Sequence, residues 1–147
     1  MKTHQWQYLK WFSAEEMHEV AKNWVSELHF VRDEQDFFEQ LLQQLTVLGN
    51  SLPTSLTINN LKEELAMLQR DCTLLVSAVL THQNKGYILL DGINQLEEEE
   101  RYKEAHRELL DAIGEFLIQH TQIKKEVFKV SKVLLKQKEK RIKFISS

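Results

Sequence analysis

Apolar residues recur at alternating steps of three and four along three long stretches of the chain, which contains one proline and four glycines. This spacing places the apolar side chains on one face of an α-helix. Sustained over many turns, it is typical of long helices that pack side by side. We therefore predict an all-α fold, an antiparallel up-down-up bundle of three long helices near 13–48, 57–85 and 94–140.

The first helix has the clearest predicted start. Ser13 is followed three residues later by Glu16, the pattern of a capping box in which each residue satisfies a backbone amide of the other. Behind this cap, an apolar seam extends from Met17 to Leu45, and its one polar member is Gln35. Gly49 then predicts the end of the helix.

The second helix is predicted to begin between Ser55 and Asn60 and to carry an apolar seam as far as His82. Gly86 is suited to the left-handed residue that closes a helix. The apolar stretch 87–90 after it is too short to form a stable strand alone. We expect these four residues to form a loop on the bundle end, with Tyr87 folding back towards His82.

The third helix is predicted to be longer than the other two. Its seam extends from Tyr102 to Leu134, and no turn residue near His120 marks a break, although a break there is the alternative. At about 46 residues it would reach ~69 Å, against ~54 and ~42 Å for the others. We expect the stripe from Val127 to Leu134 to lack cover within one chain. The sequence therefore predicts a homodimer in which the ends of the third helices complete each other's cores.

Length and charge add an asymmetry along the chain. The 147 residues predict a single domain, 1–147, with an aromatic N-terminal tail at 1–12 and a basic helix end at 124–147. The net charge of −3 conceals a segment, 124–143, with nine basic and two acidic side chains. The remainder is correspondingly acidic. Opposite charges are thus separated along the sequence.

Known catalytic signatures are missing from the sequence. It contains no glycine-rich phosphate loop, no Gly-x-Ser-x-Gly nucleophile elbow and no paired-cysteine metal site. The lone Cys72 lies at a seam position, where a small buried side chain is expected. No apolar run is long enough to span a membrane and the N-terminus does not resemble a secretory signal. We therefore expect a non-enzymatic, cytoplasmic protein.

Several histidines lie on the predicted helices, which raises the possibility of a metal centre. Hemerythrin-like and ferritin-like bundles, which this chain resembles in architecture alone, hold two irons; the ferritin-like ones use Glu-x-x-His on two helices. This chain has one such motif, Glu15 to His18, so no cofactor is predicted. Histidines on the seam are instead expected to be buried and to find specific partners. A metal-binding bundle stays the alternative, with candidate ligands His18, His29, His82, His106 and His120.

The basic helix end is the best candidate for partner binding. Its lysines alternate with valine, leucine and isoleucine, which predicts a basic amphipathic helix. We expect a helical scaffold or protein-interaction module without a small-molecule substrate. A further alternative is binding of an anionic nucleic acid or membrane surface. The predicted partner-binding residues are Lys129, Lys132, Lys136, Lys140 and Lys143.

Overall fold

The computed structural model describes residues 13–49, 51–92 and 96–146, and within these ranges the chain forms three helices and no strand. They are α1 (Ala14–Leu48), α2 (Leu52–Asp91) and α3 (Leu96–Ser146). The three helices pack against each other. This confirms the prediction of an all-α fold built from three long helices. None of the described helices is long and apolar enough to cross a membrane.

The start of α1 is the predicted capping box. The Glu16 amide donates to Ser13 Oγ at 3.2 Å, and the Ser13 amide donates to Glu16 Oε1 at 3.4 Å. The two bonds satisfy amides that a helix N-terminus would otherwise leave without partners. The predicted aromatic tail, 1–12, lies outside the described residues.

The predicted bounds of the second helix were wrong at both ends. α2 begins at Leu52, where Ser51 Oγ accepts from the Thr54 amide at 3.3 Å. Pro53 lies in the first turn, where a missing N–H costs nothing. The helix continues through Gly86 to Asp91, so 87–90 is helical and not a loop. Gly86 is a buried packing position inside α2 instead of a helix end.

α3 is continuous from Leu96 to Ser146, as the absence of a turn residue near His120 predicted. The expectation that its stripe from Val127 to Leu134 would be uncovered was wrong for the two residues that bound the stripe, whereas Phe128 and Val133 within it are 41% and 49% exposed. Val127, Ser131 and Leu134 are buried within the single chain. α2 begins at Leu52, five residues earlier than predicted, and so brings more helix to the second half of α3. From Leu135 to position 143, every residue of α3 is exposed.

The chain divides into two compact units. The first takes in Met1–Val31 and Asp71–Leu117, and the second Arg32–Arg70 and Ile118–Ser147, as far as these residues are described. The predicted seams form the cores of both units. Buried in the first are Met17, Ala21, Trp24, Leu28, Cys72, Val79, Tyr102, Ile113 and Phe116. Buried in the second are Phe38, Leu42, Leu45, Ile58, Leu61, Leu65, Ile123, Val127 and Leu134.

Candidate functional site

A row of lysines follows the outer face of α3 in the second unit. At 3.6 residues per turn its members fall within an arc of about 80° and extend over about 27 Å of helix. Every one of them is exposed. This lysine row consists of Lys125, Lys129, Lys132, Lys136, Lys140 and Lys143. It contains all five lysines predicted to bind a partner, and the structure adds Lys125.

The lysine row lacks counter-charges of its own. Within the described ranges, none of its six ammonium groups lies within 4.0 Å of a carboxylate. The neighbouring Lys124 differs, since it forms an ion pair with Glu34 of α1. Six like charges held on one helix face repel each other and attract an anion.

A second row, of exposed apolar side chains, lies beside the lysine row on α3. Phe128, Leu135 and Ile142 recur every seven residues and are 41%, 49% and 55% exposed. Phe128 packs edge-on against the buried Phe38 of α1, with ring centroids 5.7 Å apart. This apolar row offers a surface for the side chains of a packed helix, next to the charges of the lysine row.

Next to the first residue of the lysine row, Glu34 connects α1 to α3 inside the second unit. Its carboxylate accepts from Lys124 Nζ and contacts His120 Nε2 at 3.0 Å. Burial raises the pKa of the Glu34 carboxyl, but the hydrogen bonds from Lys124 and His120 outweigh burial and leave that pKa lowered. The seam residue His120 was predicted to find a specific partner, and the structure shows that this partner is Glu34.

The first unit contains a different arrangement, a buried histidine cluster. His82 Nε2 of α2 lies 3.0 Å from His106 Nδ1 of α3. Tyr102 stacks on the His82 ring at 4.1 Å between centroids, and Trp24 of α1 stacks on the His106 ring at 4.5 Å. The two imidazoles thus lie between the rings of Tyr102 and Trp24, and the four residues come from three helices. The prediction that His82 and His106 are buried and find specific partners is confirmed.

Both paired histidines are neutral at pH 7. Burial lowers the pKa of His82 to about 4, helped by the positive charge of Lys85 and by His18. Burial also lowers the pKa of His106 to about 4, helped by His82. In a pair of neutral imidazoles one ring donates its N–H and the other accepts, which makes the 3.0 Å contact a hydrogen bond.

His18 of α1 completes the cluster against Gly86. A Cβ at Gly86 would lie 2.5 Å from His18 Nδ1 and 2.9 Å from Tyr102 Oη, so only glycine fits here. Tyr87 packs edge-on against His18 at 4.2 Å between centroids, and not against His82 as predicted. Burial raises the pKa of Tyr102 to about 12, which keeps its phenol protonated. Sequence reasoning missed Gly86 and Tyr102 because helical periodicity does not reveal which residues share a level.

The five candidate metal ligands do not converge. His18, His82 and His106 lie in the first unit, His120 lies in the second, and His29 is exposed on α1. Among the described residues, no group of three or more histidine, cysteine or carboxylate side chains has a geometry that could hold a metal ion. What the paired imidazoles do offer is a buried group that takes up protons only in acid.

A cavity of about 350 Å³ adjoins the histidine cluster in the first unit. Its rim includes Lys85 and Arg101, but Arg101 already pairs with Glu98 at 2.8 Å. The cavity therefore presents little unbalanced charge to a ligand. The lysine row, whose charge is unbalanced along its whole length, is the stronger candidate for recognition.

Comparison with known proteins adds no relative from which a role could be carried over. No family model matches the chain, and no curated protein or solved structure shows significant similarity to it.

Proposed function

We propose that this chain is a non-enzymatic protein-interaction module that binds an acidic protein surface through the lysine row. The observation that supports this proposal is the row itself: six exposed lysines on one helix face, with no carboxylate within 4.0 Å of their ammonium groups among the described residues. Such a face raises the local concentration of an anionic partner and speeds its association.

A protein partner fits the surface better than a nucleic acid does. The row contains no arginine, and arginine is the residue that contacts phosphates and bases with two parallel hydrogen bonds. No aromatic side chain stands within the row to stack on bases. The adjacent apolar row is spaced every seven residues, the repeat with which one helix receives another. A helix with acidic residues beside an apolar stripe matches both rows.

A lipid surface is also matched less well. In an interfacial helix the apolar side chains form one broad face that enters the membrane. Here the exposed apolar row is narrow, and the opposite flank of α3 is buried against its own chain at Val127 and Leu134. The helix is therefore not free to roll its apolar side into a bilayer.

The experiment measures binding of the intact chain to poly-glutamate, to a DNA duplex and to anionic vesicles over a range of salt concentrations. The test variant replaces Lys132, Lys136, Lys140 and Lys143 with Gln. The control variant replaces four lysines outside the row with Gln, which removes the same total charge: Lys22, Lys62, Lys85 and Lys103.

We expect the wild-type chain to bind poly-glutamate with an affinity that falls as salt rises. The row variant should bind at least about tenfold more weakly and with a flatter salt dependence, while the control variant should resemble wild type. Equal losses in the two variants would show that net charge and not the row is responsible, which would contradict the proposal. Tighter binding to DNA or vesicles than to poly-glutamate would contradict the choice of a protein partner.

A further inference from the structure

The first half of α3 carries a row of acidic side chains that matches the lysine row in number. Its members fall within an arc of about 80° at 3.6 residues per turn. All are exposed except Asp111, which is half-buried. This acidic row, which lies in the first unit, consists of Glu97, Glu100, Glu104, Glu108, Asp111 and Glu115.

The two rows also match in spacing. Read towards the C-terminus from Lys125, the lysines follow one another at steps of four, three, four, four and three residues. Read towards the N-terminus from Glu115, the acidic residues follow at the same five steps. When two helices lie antiparallel, equal steps in opposite chain directions place the residues at equal heights. In such an antiparallel pair, each of the six lysines would stand opposite one of the six acidic residues in a single register.

We propose that the acidic surface bound by the lysine row is the acidic row of a second copy of this chain, with the two α3 helices antiparallel. This inference rests on the proposed function, since it names the partner of the lysine row. Each pair joins one copy to the other. The six pairs are Lys125 with Glu115, Lys129 with Asp111, Lys132 with Glu108, Lys136 with Glu104, Lys140 with Glu100, and Lys143 with Glu97.

The pairing is self-complementary because one helix carries both rows. The lysine row of each copy meets the acidic row of the other copy. Each of the six pairs therefore occurs twice around a two-fold axis.

Apolar side chains accompany both rows on the same side. The apolar row of Phe128, Leu135 and Ile142 flanks the lysine row, and the half-buried Leu110 and Leu117 flank the acidic row. In an antiparallel pair of facing helices, corresponding sides of the two rows meet. The contact therefore combines charge pairs with a strip of apolar burial.

Ion pairs within α3 do not prevent this exchange. Three acidic-row residues have a partner one turn away on α3: Glu97 pairs with Arg101 at 3.9 Å, Glu100 with Lys103 at 3.9 Å, and Glu104 with Arg107 at 2.6 Å. The carboxylates in these pairs are well exposed, and exposed pairs of this kind contribute little to stability. Exposed carboxylates can accept a lysine from a second copy while they keep their partner on the same helix.

The test is a charge swap in the predicted register, followed by sedimentation equilibrium. One variant carries Lys132→Glu with Lys136→Glu, and a second carries Glu104→Lys with Glu108→Lys. A third combines all four substitutions, which restores opposite charges in every pair. A fourth, Lys62→Glu with Lys85→Glu, changes the same charge outside both rows. Circular dichroism of each variant confirms that its helix content is unchanged.

We expect wild type to dimerise at low salt and to dissociate as salt rises. The first two variants should each raise the dimer dissociation constant at least about tenfold, since four attractive pairs become repulsive. They should form a mixed dimer when combined, and the third and fourth variants should dimerise as wild type does. A monomeric wild type at low salt, or a third variant that stays monomeric, would overturn the inference. If such a monomer still bound poly-glutamate through the lysine row, the proposed function would stand without it.

Discussion

Acidification from pH 7 to pH 5 is expected to destabilise this protein through the pair of His82 and His106. Burial lowers the pKa of both side chains to about 4, whereas a histidine in an unfolded chain titrates at about 6.5. When the folded-state pKa is the lower one, the contribution to stability is fully present above the unfolded pKa. It is lost as the pH falls towards the folded pKa. The sensitive window is therefore pH 6.5 to 4.

The size of the effect follows from the two pKa values. At pH 5 an unfolded histidine is almost fully protonated, while a buried one with a pKa of about 4 is still about nine-tenths neutral. The difference costs about 2 kcal/mol for one such histidine between pH 7 and pH 5, and the second histidine acts in the same direction. Burial also lowers the pKa of His18 and acts in the same direction. Small domains are stable by about 5–15 kcal/mol in total, so this loss is large.

Urea unfolding followed by circular dichroism, at pH 7 and pH 5 and constant ionic strength, measures the free energy of unfolding at each pH. A high salt concentration would suppress the proposed pairing of α3 between copies. The test variant is His82→Gln with His106→Gln, in which the two amides can replace the hydrogen bond and neither titrates. The control is His29→Gln, because His29 is exposed.

The double variant should lose most of the pH dependence, and the control should keep all of it. The measurement stops at pH 5 because carboxyl groups, among them Glu34 with its lowered pKa, titrate below that pH. If wild type unfolded with the same free energy at both pH values, the buried pair would not be neutral as described. The same conclusion would follow if the double variant kept the full loss.

Three further substitutions test packing, each by urea unfolding at pH 7. Gly86→Ala should destabilise the chain by about 1–3 kcal/mol, because its Cβ would overlap His18 Nδ1. Gly114→Ala should stabilise the chain by up to about 1 kcal/mol, because no atom lies within 4 Å of the added Cβ. A stabilising Gly86→Ala would contradict the close approach of His18. Gln35 is fully buried, and its amide atoms have no hydrogen-bond partner in the part of the chain described. Gln35→Met should therefore leave stability unchanged or raise it by about 1 kcal/mol, and a loss above that would reveal a partner for the amide.

The helices themselves were largely predictable from periodicity. The seam from Met17 to Leu45 is buried as predicted, and so is most of the seam of α3, because a repeat of three and four residues identifies a helix face without any knowledge of its neighbours. The capping box of Ser13 and Glu16 marked the start of α1 equally well. Local chemistry was sufficient for these features.

The ends of α2 were not predictable in the same way. Gly86 was read as a helix end since glycine commonly closes helices. In the folded chain a side chain at this position has no room, because His18 and Tyr102 approach the Gly86 backbone from α1 and α3. Glycine has the same appearance in a sequence whether it permits a left-handed turn or a close contact. Which reason applies depends on residues distant along the chain.

The histidine cluster could not be predicted from the sequence, whereas the lysine row could, and the difference has a geometric cause. A helical pattern shows which face of its helix a side chain occupies. It does not show which residues of a neighbouring helix lie at the same position along the helix axis. The second helix starts five residues earlier than predicted, and at 1.5 Å per residue this displaces its levels by about 7.5 Å. That error is larger than the 3.0 Å contact between His82 and His106, so no reading of the seams could have paired them. The lysine row and the acidic row lie on one helix instead. Their heights relative to each other depend on a single continuous α3, and their matching steps can be read from the sequence once that continuity is established.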